Sequence, residues 1–164
     1  MPLKKTIRKA RKDKREGKSP STQAGEFVHA EIEKIRRHEH GARSARQAIA
    51  IGLSEARRAG VDLKPPKKGT VSEKTRKSAA SAYKKGQAHE PVSAVRSAAR
   101  KKALKKESTA AASSKALSQQ ASTAARKRSA TARSAAAKKA AETKGPEERS
   151  RAARKAARTR ARQH

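Results

Sequence analysis

Apolar residues recur at helical spacing in the first half of the chain, most completely from Ser44 to Gly60. Ser44 and Gln47 have the spacing of a capping box, and Gly60 is suited to the left-handed residue that ends many helices. This pattern predicts a helix with a main apolar face made of Ala45, Ile49, Gly52, Leu53 and Ala56. Ile51 falls on the opposite side, where Val61 and Leu63 could cover it. A helix that is apolar on two sides is either sandwiched or carries a contact site, so we predict Ile51 as an interface residue.

A second amphipathic helix is predicted directly before this one. Ser19 and Pro20 read as an N-cap followed by proline at the first helical position, and the pattern ends near Arg37. A short connection around Gly41 predicts that the two helices pack as a hairpin or cross as a helix-turn-helix. The helix-turn-helix would place Arg43, Arg46 and Arg57 near a DNA groove. The predicted core is Phe27, Val28, Ile32 and Ile35 against Ile49, Leu53 and Ala56.

Beyond the hairpin the apolar pattern thins, which predicts an all-α chain of five segments. Residues 1–19 form a basic N-terminal arm, read as a solvated tail or a phosphate-binding arm, and 20–63 form the helical hairpin module. Residues 64–69 are a proline-rich linker. Residues 70–106 hold two weakly amphipathic basic helices, the first begun by Thr70 and Glu73 and ended by Gly86, the second begun at Glu90. Residues 107–164 are an Ala/Lys/Arg-rich tail, interrupted at Gly145 and Pro146, that we expect to be disordered alone and to become helical on a polyanion.

Charge dominates the composition and points to the kind of partner. The chain holds 45 Lys and Arg against 14 Asp and Glu, a net charge of +31, and only 1% aromatic residues. Self-repulsion of this size opposes compaction and is relieved by a polyanion. Nucleic acid is the expected partner, and DNA is favoured over RNA. Few aromatic residues are available for base stacking, which favours a duplex over a single strand.

Catalytic and cofactor chemistry find no support in the sequence. No nucleophile motif or glycine-rich phosphate loop is present, so we expect neither an enzyme nor a cofactor. The chain has no cysteine, and His38, Glu39 and His40 are interpreted as a solvated helix end and not as a metal site. No apolar run has the length of a membrane span, and the basic N-terminus lacks the apolar region of a secretory signal. These features predict a cytoplasmic protein of the nucleoid, and a homodimer stays possible.

The predicted phosphate-binding residues are cations near the two ends of the second hairpin helix and in the segments that follow it. Neutralising phosphates with such residues releases counterions and suffices for binding without base recognition. The predicted set is Arg43, Arg46, Arg57, Arg58, Lys64, Lys67, Lys68, Lys74, Arg76, Lys77, Lys84, Lys85, Arg100, Lys101, Lys102, Lys105, Lys106, Arg126, Lys127 and Arg128.

One segment resembles a known family. Residues 22–69, with the motif Arg-Gln-Ala-Ile-Ala-Ile-x-Leu-Ser at Arg46 to Ser54 followed by Arg-Arg-Ala-Gly, resemble a family of small basic bacterial proteins of unknown function. The resemblance implies DNA binding and supplies no catalytic residues. The tail after residue 107 is similar in composition to linker-histone-like bacterial proteins.

These observations predict sequence-tolerant binding of nucleic acid, with duplex DNA favoured, by phosphate neutralisation in a nucleoid-associated or DNA-compacting role. Two alternatives stay open at this point. One is a protein–protein interaction module that uses the Ile51 face. The other is a basic protein associated with RNA or the ribosome.

Overall fold

A computed structural model of the chain describes residues 3–162, and the regular secondary structure of this part is all helix, with no β-strand. The predicted all-α class is therefore confirmed. One compact unit ends at Gln120 and a second begins at Ala121. The helices are α1 (Lys4–Arg15), α2 (Pro20–Arg36), α3 (Ala45–Arg58), α4 (Glu73–Gln87), α5 (Ala94–Leu104), a short 3-10 helix (Thr109–Ala112), α6 (Ser114–Arg126) and α7 (Ala130–Ala161).

The predicted starts of α2 and α3 are confirmed by their caps. The Ser19 hydroxyl accepts a hydrogen bond from the Thr22 backbone N–H at 3.4 Å, and Pro20 occupies the first turn of α2. At α3 the Ser44 hydroxyl accepts from the Gln47 N–H at 3.2 Å. The Gln47 side chain reaches one residue further back than in a standard capping box, since its Oε1 accepts from the Arg43 N–H at 2.7 Å.

The ends of α2 and α3 share one geometry but use different residues. Gly60 has φ 86°, and the Val61 N–H donates to the Ala56 carbonyl at 3.1 Å, which is the Schellman pattern expected at the end of α3. In α2 the left-handed residue is His38, with φ 60°, and not Gly41. Gly41 is required for a different reason, because a Cβ there would collide with the backbone of the segment at Glu107.

Two apolar clusters hold the first unit together, and alanine supplies much of both. One surrounds Phe27 with Ala10, Ala24, Ala56 and Val61, and the other surrounds Ile35 with Ala42, Ala48, Ala111 and Ala112. Of the predicted core, Phe27, Ile35 and Ala56 are buried, while Val28, Ile32, Ile49 and Leu53 are half-buried. Small residues can fill these sites because α2 and α3 approach closely. A Cβ on Gly52 would lie 2.6 Å from the Val28 Cα.

We predicted the N-terminal basic segment as an arm outside the hairpin module, but in the structure it packs against that module. Residues 4–15 form α1, which packs against α2. Its inner face is made of Thr6, Ala10 and Asp13, which are buried, together with the half-buried Ile7. Asp13 accepts a hydrogen bond from the Lys18 Nζ at 2.7 Å, which fastens the turn between α1 and α2. Counting large apolar residues could not reveal a contact made by small and polar side chains.

Helix α3 packs against a second helix besides α2, which accounts for the apolar residues on its two sides. Val61 and Leu63 pack with the Phe27 cluster and not over Ile51. Helix α4 packs on α3 instead, and a Cβ on Gly86 would collide with the α3 backbone at Arg57 and lie 3.0 Å from the Arg58 Cα. Because Arg58 lies two turns after Ile51 on the same helix face, α4 approaches α3 from the Ile51 side. Ile51 itself is half-buried.

The helices of the predicted basic segment begin later than expected. Helix α4 is capped by Ser72, whose hydroxyl accepts from the Thr75 N–H, while the Thr70 hydroxyl donates to the Lys67 carbonyl at 2.7 Å. Helix α5 is capped by Ser93, three residues after Glu90. Val95, a large apolar residue of α5, is 80% exposed. In each helix the serine directly before the first helical residue provides the cap, in place of the residue that we predicted two or three positions earlier.

The linker and the second unit contain little buried surface. Residues 61–67 form neither helix nor strand, in keeping with the two prolines at 65 and 66. In the second unit α7 is broken at Gly145, with φ 67° and ψ 168°, directly before Pro146, as the sequence predicts. No described residue of α6 or α7 is buried. The structure records this tail as helix, and its dependence on a polyanion stays a prediction. Within residues 3–162 no helix combines the length and the apolar character needed to cross a membrane.

Candidate nucleic-acid interface

Most of the predicted phosphate-binding cations are on the surface. Sixteen of the twenty are exposed, three are half-buried (Arg58, Arg76 and Lys85) and one, Arg57, is buried. The exposed set is Arg43, Arg46, Lys64, Lys67, Lys68, Lys74, Lys77, Lys84, Arg100, Lys101, Lys102, Lys105, Lys106, Arg126, Lys127 and Arg128.

Helix α4 separates its small residues from its cations. Ala79, Ala82 and Gly86 are buried, whereas Lys77 and Lys84 are exposed on the opposite side of the helix by the ~100° rotation per residue. Lys74 lies one turn before Lys77 and is also exposed. The three ammonium groups form a row that faces solvent. Such a row can contact successive phosphates of one strand without reading bases.

Arg76 lies on the same helix but forms an ion pair with a residue of its own helix. Its guanidinium forms a two-point contact with Glu73, at 2.6 Å from Nη2 to Oε1 and 2.9 Å from Nε to Oε2. The hydrogen bonds from Arg76 lower the pKa of Glu73, and the same contact raises the pKa of Arg76. Arg43 and Lys85 make longer contacts, at 3.7 Å to Glu107 and 3.5 Å to Glu90. These cations are partly neutralised before any ligand binds.

Arg57 has a structural position that the sequence did not reveal. Its side chain is buried, and Nε and Nη2 donate to the carbonyls of Leu63 and Lys64 at 3.0 and 3.4 Å. Burial lowers the pKa of Arg57. The residue therefore holds the start of the linker against α3 and does not face a groove. Since α4 also covers one side of α3, the packed hairpin is favoured over a helix-turn-helix with α3 as reading helix.

The His38–His40 segment is only partly solvated, which corrects our interpretation of it. His38 and Glu39 are exposed, but the His40 side chain is 10% exposed and its Nε2 lies 3.3 Å from Oε1 of the buried Glu31. His40 Nδ1 lies 3.1 Å from the Gly41 carbonyl. No group of residues able to hold a metal is found among residues 3–162. The histidine therefore supports the turn that precedes α3.

Lys34 completes this charged cluster between α2 and α3. Its Nζ lies 3.1 Å from a carboxylate oxygen of Glu31 and 3.2 Å from one of Glu55. Burial alone would lower the pKa of Lys34, but the two carboxylates outweigh it and raise the pKa. The cluster joins the two helices, so these acidic side chains are not free to repel a nucleic acid.

The cations of α1 and α7 are missing from our predicted set. In α7 ten Lys and Arg stand against three Glu, and none of these residues forms an ion pair within residues 3–162. Arg151, Arg154, Lys155 and Arg158 fall within ~100° of one another around the helix axis. Their spacing of three and four residues was visible in the sequence and is the signal that could have identified them.

Comparison with known proteins adds one partial match. The model described as "Family of unknown function (DUF6496)" matches residues 37–69, which include α3, its N-terminal turn and the whole linker. This region contains the motif from Arg46 to Ser54 that carried the resemblance noted above. No curated protein and no solved structure matches the chain significantly.

Proposed function

We propose that this protein binds nucleic acid, with duplex DNA as the preferred form, by neutralising backbone phosphates with little sequence preference. The observation that carries the proposal is the segregation of charge on the helices. The buried charged groups Glu31 and Arg57 lie against neighbouring segments, while rows of cations face solvent on α4 and α7. Counterion release from phosphates would drive the association.

The aromatic residues favour a duplex over a single strand. Phe27 is buried in the core, and Tyr83 is half-buried, with its hydroxyl donating to Asp62 at 2.6 Å. The described residues therefore offer no fully exposed Phe, Tyr or Trp ring as a stacking platform for unpaired bases. Contacts to the regular phosphate array of a duplex need no such platform. A nucleoid-associated role in DNA compaction follows from this mode of binding.

The Ile51 face is a less supported site for a partner protein. Ile51 is half-buried on the side of α3 that α4 approaches. Little of this side is therefore available to a partner without displacing α4. An RNA- or ribosome-associated role shares the phosphate chemistry and is distinguished by the experiment below.

The test is the salt dependence of binding, measured by fluorescence anisotropy with random-sequence DNA and RNA duplexes of equal length. If about ten phosphates are neutralised, log K should fall against log salt with a slope near −9 on DNA. Lys74→Gln/Lys77→Gln/Lys84→Gln should reduce the magnitude of the slope by about 3. A slope near zero, or tight binding to one sequence with negligible binding to other sequences, would refute the proposal. Tighter binding to the RNA duplex than to the DNA duplex would contradict the preference for DNA.

A further inference from the structure

Resting on the proposed function, we infer that the outer face of α1 is a duplex DNA docking surface, with Lys4, Arg8, Arg11 and Arg15 as its phosphate contacts. This set is called the α1 stripe below. The four residues are spaced four, three and four apart, which places them within ~60° of one another around the helix axis. All four are exposed.

The docking of α1 determines which of its cations face outward. Thr6, Ala10 and Asp13 are the buried residues, and they lie roughly opposite the α1 stripe. The hydrophobic cluster around Phe27 includes Ala10, so the inner face belongs to the core of the first unit. The stripe is therefore presented by an anchored helix and not by a loose arm.

Two of the eight cations of α1 form ion pairs, whereas the α1 stripe, Lys5 and Lys14 form none among residues 3–162. Lys9 contacts Glu26 of α2 at 3.3 Å, and Lys12 contacts Glu16 at 3.7 Å. The residues of the α1 stripe contact no carboxylate among residues 3–162. Like charges three and four residues apart destabilise a helix, and a polyanion placed along them removes this repulsion.

The length of the α1 stripe suits contact with the phosphate backbone of a duplex. Eleven residues separate Lys4 from Arg15, which corresponds to a length of ~16 Å. A duplex carries one phosphate per ~1.7 Å of its axis when both strands are counted, so its backbone presents several phosphates to a row of this length. The four cations can therefore contact backbone phosphates without reading bases. The helix contains no aromatic residue that would stack on unpaired bases.

The experiment compares two double substitutions in the full chain that each remove two cations from the same helix. Arg8→Gln/Arg11→Gln removes half of the α1 stripe, whereas Lys9→Gln/Lys12→Gln removes two ion-paired lysines. On a random-sequence DNA duplex, the first variant should reduce the magnitude of the salt slope by about 2, and the second should retain the wild-type slope. Calorimetric melting of both variants checks that α1 remains docked.

The possible outcomes separate this inference from the proposed function. A steep wild-type slope that Arg8→Gln/Arg11→Gln leaves unchanged, or that both variants reduce equally, would overturn the inference while the proposed function stands. A wild-type slope near zero would refute the proposed function itself. If the variant lost more slope on an RNA duplex than on DNA, the surface would be assigned to RNA and the DNA assignment would be wrong. Adding Lys4→Gln and Arg15→Gln should extend the loss to about 4.

Discussion

The contact between α2 and α3 at Gly52 gives the sharpest test of the fold. Gly52 lies inside α3, where glycine is a poor helix former, so replacing it with alanine at an open site would stabilise the helix by about 0.5–1 kcal/mol. This site is closed. A Cβ on Gly52 would lie 2.6 Å from the Val28 Cα, 2.9 Å from the Val28 nitrogen and 3.1 Å from the Phe27 carbonyl carbon. These are backbone atoms of α2, which cannot move away as a flexible side chain can.

The magnitude follows from the separation that Gly52→Ala would impose. Carbon atoms pack at ~3.5–4.0 Å, so α2 and α3 would have to move apart by about 1 Å, and a gap of that size removes roughly a quarter to a half of the dispersion attraction. Overpacking of this kind costs about 1–3 kcal/mol. After the gain in helix propensity, we expect a net destabilisation of about 1–2 kcal/mol.

Gly25→Ala is the matched control, because Gly25 lies inside α2 and a Cβ there would have nothing within 4 Å. It should raise the Tm by a few degrees, whereas Gly52→Ala should lower the Tm by about 4–8 °C. Differential scanning calorimetry of the full chain is the suitable assay, since helices without a core, such as α7, should melt without a cooperative heat peak. If Gly52→Ala raised the Tm as Gly25→Ala does, the close approach of α2 and α3 would be wrong.

Three further predictions concern single contacts of the first unit. Lys34→Met would leave two carboxylates without their shared ammonium group, and we expect a loss of roughly 3 kcal/mol in denaturant unfolding; an unchanged midpoint would contradict the cluster. The hydrogen bond to Asp62 raises the pKa of Tyr83, so the phenol absorbance should titrate above the usual pH for tyrosine, and Asp62→Ala should return it toward that pH. The contact stabilises the fold below the ordinary pKa of tyrosine, and this stabilisation disappears as pH rises through the pKa of Tyr83 in the folded state. Ile51→Lys should lower the Tm more than Ser54→Lys, and equal shifts would mean that Ile51 is merely exposed.

The helix boundaries show which helix ends can be predicted from nearby capping residues alone. The starts of α2 and α3 and the end of α3 follow from Ser19, Ser44 and Gly60, because caps act over three to six residues and can be read from sequence. The sequence placed the start of α4 at Thr70, whereas Ser72 caps it in the structure, because two acceptable caps lie only two residues apart. Only the competition between them in the folded chain selected one.

The sequence by itself determined the helical class, the two amphipathic faces around Phe27 and Leu53, and the excess of unpaired cations, because these depend on composition and on spacing within one helix. The tertiary structure decided which groups would be taken out of solvent. It docked α1 through Ala10, buried Arg57 against the carbonyls of Leu63 and Lys64, and brought the α2 backbone against Gly52. The physical reason is that burial depends on what lies opposite a residue. A contact between segments far apart in the chain leaves no periodic signal when its residues are small or polar.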